Sequence, residues 1–237
     1  EALARVRAGR SSSAGAVRLV LEGVAERSID PKQRAIAAVQ AGAFVPALDA
    51  SQQEAFVVAM ATDPVTLVQG PPGTGKTYVL ARIVGALAAA GQRVLVASYT
   101  HRAVNNALRM VALADPSLAV VKAGKASGAD DLRGTRVAVV PSMRRLPAGR
   151  DPRRVVGATL FSLKAVWEED AFDVVVVDEA AQIPLTYASC ALLAAPRYVL
   201  VGDHRQLGPI VQGRHPDPLA ARSVFEHLAA PYPSALL

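Results

Sequence analysis

The sequence predicts an α/β fold: a mainly parallel sheet with helices on both faces, preceded by a short N-terminal helical segment. Three observations predict it. Near-continuous apolar runs at Val65 to Gln69, Arg93 to Ser98, Asp173 to Val177 and Arg197 to Gly202 read as strands buried on both faces. Stretches of helical periodicity separate these runs, and strands alternating with helices build parallel sheets. A glycine loop, Gly70 to Thr77, joins one such strand directly to one such helix.

Composition sets the outer bounds. The chain has 237 residues, 51% hydrophobic and 19% charged, which suits a folded core and excludes disorder. That length suggests one domain with an appendage, or two small ones. We expect residues 1–47 to be a helical stalk or linker and residues 48–237 the domain proper. No apolar run is long enough to span a bilayer and the N-terminus lacks an apolar leader, so the expectation is a cytoplasmic protein without a membrane partner. The chain opens with Glu1, which suggests a fragment of a longer protein. Cys190 lies in the apolar stretch YASCALLAA and reads as a buried structural thiol. The four histidines are scattered singly and offer no metal spacing.

Taken in order, residues 14–27 carry Val17, Val20, Leu21 and Val24 at helical spacing, and Ile36, Val39 and Gln40 continue a second helix. Neither carries chemistry. In LDASQQEAFVVAMAT, Ser51 followed three residues later by Glu54 predicts a capped helix start, with Asp63-Pro64 as its stop. That start places Gln52 and Gln53 in the first turn. The strand at Val65 then empties into Gly70, Pro71, Pro72, Gly73, Thr74, Gly75, Lys76 and Thr77, which fits the phosphate-loop pattern G-x-x-x-x-G-K-[ST]. Glycines permit positive φ and close approach of N–H groups to an anion, and the following helix aims its positive end at the same place. In that chemistry Lys76 reaches the β and γ phosphates of a nucleotide and Thr77 ligates Mg²⁺.

The helix from Lys76 ends at Gly91, and the strand to Ser98 is followed by the polar cluster Tyr99, Thr100, His101 and Arg102 on the ligand side of a parallel sheet. Leu118 to Val121, Val137 to Val140 and Val155 to Ala158 are further strand candidates. Between residues 122 and 154 the chain holds nine Lys or Arg, Arg144 and Arg145 among them, against three Asp, a net +6. Such a cluster is either the footprint of a phosphate-backbone contact or a solvated basic loop. Four valines end abruptly at Asp178 and Glu179. Two carboxylates at a buried strand's end match the second half of a nucleotide site, Asp178 for Mg²⁺ and Glu179 for the attacking water. The last strand ends in Gly202, Asp203, His204, Arg205, Gln206 and Leu207, and one helical stretch, Leu219 to Ala230, follows.

The set GPPGTGKT, SYTHRAVNN, GATL, DEAAQ and GDHRQL, in this order, resembles the superfamily 1 helicases. Within them it is most similar to the branch containing the nonsense-mediated-decay RNA helicase and the flap-trimming nuclease-helicase. The resemblance covers about residues 48–230, and GDHRQL after DEAAQ is its most specific part. It implies a RecA-like P-loop fold, the first of two motor domains, using ATP and Mg²⁺. It implies that Gln52 reads the adenine edge, that Gly70, Gly73, Thr74, Gly75, Lys76 and Thr77 hold the phosphates, and that Gln206 senses the γ-phosphate beside Asp203. Gln182 would link the nucleotide site to the nucleic-acid track. Ser98, Thr100, Asn105 and Thr159 would contact the sugar-phosphate backbone of a single strand, with Arg144 and Arg145 from the basic segment near it.

There are departures from the pattern. Gly208-Pro209 stands where relatives have two prolines, and Tyr99-Thr100-His101 is closer to the flap-trimming branch, which favours DNA over RNA. The resemblance also leaves room for a nuclease fused upstream. About 30 residues follow GDHRQL, too few for a second RecA-like domain. Its arginine donor is worth about 10³ to 10⁵ in rate, so the chain alone is expected to hydrolyse ATP poorly. The competing expectation is a nucleotide-regulated nucleic-acid binding or assembly module that unwinds nothing. An unrelated P-loop ATPase is disfavoured by GDHRQL.

Overall fold

The computed structural model describes residues 12–146, 151, 153–163, 171–210 and 222–237. Arg150 of the basic segment and the first residues of the expected Leu219 helix lie outside them.

Two helices, α1 (Ser12–Leu21) and α2 (Pro31–Gly42), open the described chain, with the short strand β1 (Ser28–Ile29) between them. α1 stops at Leu21, short of the expected residue 27. Val17 and Val20 are buried, but Val24 lies past the helix end and is exposed. In α2 the small residues Ala37 and Ala41 are buried, while Ile36 and Val39 face solvent. Close packing against the next helix admits alanine on that face, so the larger side chains point outward. That helix, α3 (Ala50–Ala61), corrects the expected cap. Asp49, not Ser51, is the N-cap, and its carboxylate accepts from the Gln52 N–H at 2.8 Å. Residues 62–63 form β2, which pairs antiparallel with β1.

The main sheet runs β3 (Val65–Gln69), β4 (Val94–Ser98), β5 (Ala119–Ala123), β6 (Ala138–Val140), β7 (Arg154–Thr159), β8 (Val174–Val177), β9 (Arg197–Gly202) and β10 (Ser234–Leu236) in chain order. In space its order is β10-β3-β9-β8-β4-β7-β5-β6, with every pairing parallel. The helices are α4 (Lys76–Ala89), α5 (His101–Ala114), α6 (Leu160–Leu163), α7 (Leu185–Leu192) and α8 (Val224–Ala229). The expected fold class is borne out.

The valine-rich strands carry apolar side chains on both sides because each face of the sheet has its own core. Successive side chains alternate across a strand. Val68, Val96, Val176 and Val201 therefore join Phe56, Leu80, Val84, Val104 and Leu108 beneath α3, α4 and α5. Leu67, Leu95, Val175 and Leu200 join Val20, Ile183, Leu192 and Phe225 on the opposite face, beneath α1, α7 and α8. The stretch around Cys190 is α7, and Cys190 itself is half-exposed at the margin of that second core. β10 carries no apolar run long enough to announce it. It adds to β3 at the sheet edge, where the Leu237 N–H donates to the Gln69 carbonyl at 2.8 Å.

Candidate nucleotide site

The phosphate loop leaves the buried end of β3 and enters α4. Gly73 and Gly75 adopt φ of 84° and 80°, a region where a side chain is strained. At Gly75 a Cβ would also sit 2.8 Å from the Gln52 side-chain nitrogen. Gly75 is the N-cap of α4 and supplies no side-chain hydrogen bond, so the first-turn N–H groups face the loop's concavity. The Lys76 ammonium donates to the carbonyls of Gly70 at 2.7 Å and Pro71 at 3.1 Å, across the mouth of the loop. Thr74 closes the turn by donating its hydroxyl to the Pro71 carbonyl at 2.9 Å. Thr77 lies half-buried in the first turn of α4.

Gln52 stands beside this loop. Its amide oxygen accepts from the Asp49 N–H at 3.2 Å, and its amide nitrogen donates to the Thr74 carbonyl at 3.1 Å. The residue therefore completes the cap of α3 and ties that helix to the phosphate loop.

Sheet register brings the acidic pair and the GDHRQL strand to the same place. β9 lies between β3 and β8, Leu200 being level with Leu67 on one side and Val177 on the other. The Gly70 N–H donates to the Gly202 carbonyl at 3.1 Å. On the other flank Gly202 approaches the turn after the acidic pair so closely that a Cβ would lie 3.0 Å from the Ala181 nitrogen. Asp178 is buried, and burial pushes its carboxyl up to about 7, reinforced by the charge of Glu179 and opposed by the Glu179 N–H and by Lys76. Glu179 has φ 53° and ψ 39°, the one non-glycine residue at positive φ among the described residues. Strained backbone of this kind persists where the surroundings over-determine it. Gln182 reaches back to the Glu179 carboxylate at 3.4 Å.

Asp203 is the hub of the third motif. Burial works against its charge, but donors from the Gln206 side chain, the Arg205 backbone and the Gln69 side chain outweigh it, with help from Lys76, and hold the carboxyl below its ordinary range. The Gln206 amide donates at 2.8 Å, the Arg205 N–H at 3.0 Å and the Gln69 amide at 3.3 Å. The Gln69 amide oxygen in turn accepts from the Ser234 hydroxyl at 3.3 Å. Sequence reasoning missed Gln69. Its only signal is a polar residue closing an otherwise apolar strand one position before the loop.

Lys76, Asp178, Glu179, Asp203 and Gln206 thus gather around the ends of three adjacent strands, with Gln52 and Thr77 flanking the loop. Of the residues expected to contact nucleic acid, Ser98 ends β4, Thr159 ends β7, and Thr100 and Asn105 belong to the start of α5, and three of these four turn inward. Ser98 is fully buried and donates to the Asp178 carbonyl at 2.8 Å. Asn105 is buried and donates to the Gly128 carbonyl at 2.9 Å and to the Asp131 carboxylate. Thr159 is level with Ser98 in the sheet, buried, and within 3.1 Å of the Ser162 hydroxyl. Thr100 is exposed and caps α5 by accepting from the Ala103 N–H at 3.2 Å. Arg144 and Arg145 lie exposed in the short turn Met143–Arg145. Lys122 of the basic segment faces the interior, where its ammonium donates to the Gly128 carbonyl and burial lowers its pKa. Its ammonium is therefore turned away from any outside phosphate.

On the same side, the rings of Tyr99, Phe161 and Tyr187 form a mutual cluster with centroids 5.3 to 5.9 Å apart. Phe161 remains 45% exposed.

The sequence profile described as "AAA domain" matches residues 47–229. The chain belongs to that family. This AAA domain is 34% identical over 171 residues to the DNA replication ATP-dependent helicase/nuclease DNA2 of Saccharomyces cerevisiae, covering 70% of the chain and 11% of the relative. It is 30% identical over 201 residues to the dna2 protein of Schizosaccharomyces pombe, covering 81% and 14%. It is 31% identical over 194 residues to the helicase/nuclease JHS1 of Arabidopsis thaliana, covering 80% and 14%. The superfamily 1 helicase character read from the motifs is borne out by these relatives. The AAA domain spans between 11% and 14% of their length.

A phosphate loop in this family implies nucleotide use. Among the described residues no group of three His, Cys, Asp or Glu stands ready to enclose a metal. Beside the phosphate loop the AAA domain offers the Thr77 hydroxyl and the buried carboxylate of Asp178. That pair fits Mg²⁺, which takes few protein oxygens and completes its shell with phosphate and water. No described helix is long and apolar enough to cross a membrane.

Proposed function

We propose that this AAA domain is the ATP-binding half of a helicase motor, hydrolysing ATP with Mg²⁺ and stepping along single-stranded nucleic acid, DNA in preference to RNA. The observation that carries the reading is the register of β3, β9 and β8, which sets the phosphate loop, Asp203 with Gln206, and Asp178 with Glu179 on three consecutive strand ends. In this reading residues 1–47 are a brace, residues 48–237 the first RecA-like domain, and a second RecA-like domain of the full-length protein closes the site in the cytoplasm.

Each residue has a part in the reaction. The first-turn N–H groups of α4 and Lys76 bind the phosphates, Lys76 exchanging the Gly70 and Pro71 carbonyls for phosphate oxygens. Thr77 and Asp178 would hold Mg²⁺, which neutralises charge on the phosphates and orients them. A divalent cation also offsets the burial that keeps Asp178 protonated near neutrality. Glu179 takes the proton of the attacking water at its carboxylate. Gln206, one bond from Asp203, orients that water or the γ-phosphate. Gln52 would read the adenine edge by exchanging its hold on Thr74. Thr100, Arg144, Arg145 and the ring cluster at Tyr99 suit a strand bound without sequence preference, since hydroxyls and guanidinium groups hold phosphates and rings stack on any base.

The test is ATP hydrolysis by the full-length protein and its Lys76→Ala variant, with single-stranded DNA, single-stranded RNA or neither. Stimulation by DNA above RNA, abolished in the variant, supports the proposal. Wild-type rates in the variant defeat it.

A further inference from the structure

Where β8 meets β4, the backbone ladder ends in an unusual way. Ala97 is level with Val177, and the Asp178 N–H donates to the Ala97 carbonyl at 2.9 Å, the last backbone bond of the pair. The next group, the Asp178 carbonyl, is captured by the side-chain hydroxyl of Ser98 at 2.8 Å. The other end of the same peptide unit is also held, because the Glu179 N–H donates to the Asp178 carboxylate at 3.0 Å. The peptide plane between the two acidic residues is thus pinned at its oxygen by Ser98 and at its nitrogen by Asp178. Rotation of that plane changes ψ of Asp178 and φ of Glu179, the angle that sits at 53°. Without a restraint on the oxygen, a non-glycine residue at such an angle relaxes toward negative φ.

We propose that Ser98 is a positioning residue for hydrolysis: its hydroxyl fixes the Asp178–Glu179 peptide plane and so aims the Glu179 carboxylate, while making no contact with nucleic acid. Its complete burial supports both halves of the statement. The proposal rests on the reading of Glu179 as the group that activates water.

The test compares the full-length protein with its Ser98→Ala and Ser98→Thr variants. Hydrogen–deuterium exchange reads the turn without any need for activity. Alanine speeds exchange across residues 178–182 and leaves residues 70–77 unchanged, and threonine, which keeps the hydroxyl, restores protection. In single-turnover hydrolysis with ATP and Mg²⁺, alanine loses roughly 10²-fold in rate, the size of loss expected for a misaimed catalytic group, at unchanged half-saturating ATP. Threonine recovers most of that loss. Unchanged exchange at residues 178–182 in Ser98→Ala overturns the proposal. So does loosening that spreads equally to residues 70–77, with rate and ATP binding lost together. If the full-length wild type and its Lys76→Ala variant hydrolyse ATP alike, it is the nucleotide reading that fails, and the exchange result still decides what Ser98 holds.

Discussion

The side-chain amide of Gln69 donates to the carboxylate of Asp203 at 3.3 Å, joining the last residue of β3 to the first residue beyond β9 across the mouth of the site. Gln69 precedes the phosphate loop and Asp203 precedes Gln206, so this one bond locks two motifs in register. Replacing Gln69 by Leu keeps the bulk and removes the donor. The Asp203 carboxyl then rises toward its ordinary pKa and Gln206 loses its fixed anchor. Stability should fall by about 1–3 kcal/mol, the cost of a buried polar group left short of a partner. ATP turnover should fall more than ATP affinity. Urea melts and a comparison of kcat with KM check this, and equal losses in both kinetic constants would count against it.

Gly202 is close to backbone on both flanks. A Cβ there meets the Ala181 nitrogen at 3.0 Å and the Ala180 nitrogen at 3.3 Å, and neither can swing aside as a side chain would. Gly202→Ala should cost about 1–3 kcal/mol by overpacking, and it should slow hydrolysis by pushing the acidic turn outward. Thermal melts read the first effect and single-turnover rates the second. A variant with wild-type rate would show that the turn tolerates displacement.

Asp178 sets a pH dependence of stability whose sign follows from its burial. The native carboxyl titrates near 7, the unfolded one near 3.8. Between these values the unfolded chain gives up a proton that the native state keeps, so stability is greatest below the lower value and declines as pH rises to the upper one. At about 1.4 kcal/mol for each pH unit separating the two values, the decline is of the order of a few kcal/mol without divalent cation or nucleotide. Asp178→Asn removes it. The variant should melt above the wild type at pH 8 and close to it at pH 4. A difference of the same size at both pH values would rule out this account.

Gln52→Ala tests whether the glutamine reads a base as well as bracing the loop. It loses the bonds to Asp49 and Thr74 whatever nucleotide binds. We expect affinity for ATP to fall more than affinity for GTP in competition binding. Equal losses would assign Gln52 to the loop alone.

Much of this is legible in the sequence, for physical reasons. Lys76, Asp178 and Gln206 each follow an apolar strand that has no other reason to end in charge or amide, and a doubly covered parallel sheet presents such ends on one side. The cap of α3 is ambiguous in sequence because Asp49 and Ser51 are both good N-cap residues, and only the backbone decides which accepts. Ser98 and Asn105 are expected to contact nucleic acid because the resemblance puts them in segments that touch the sugar-phosphate backbone. Each instead satisfies a carbonyl inside the fold, a choice set by neighbours distant in sequence. β10 has too few residues to show a period, and its pairing depends on the edge that β3 presents.

β9 sits between β3 and β8 although it is the last of the three to be synthesised. Until residues 197–202 emerge, the strand that leads to Lys76 and the strand that leads to Glu179 have no common neighbour to hold them at the right spacing. On the proposed function, the site can therefore assemble only once this central strand has entered a half-built layer, and a nascent chain halted before Arg197 would carry Lys76, Asp178 and Glu179 without the strand that sets their spacing.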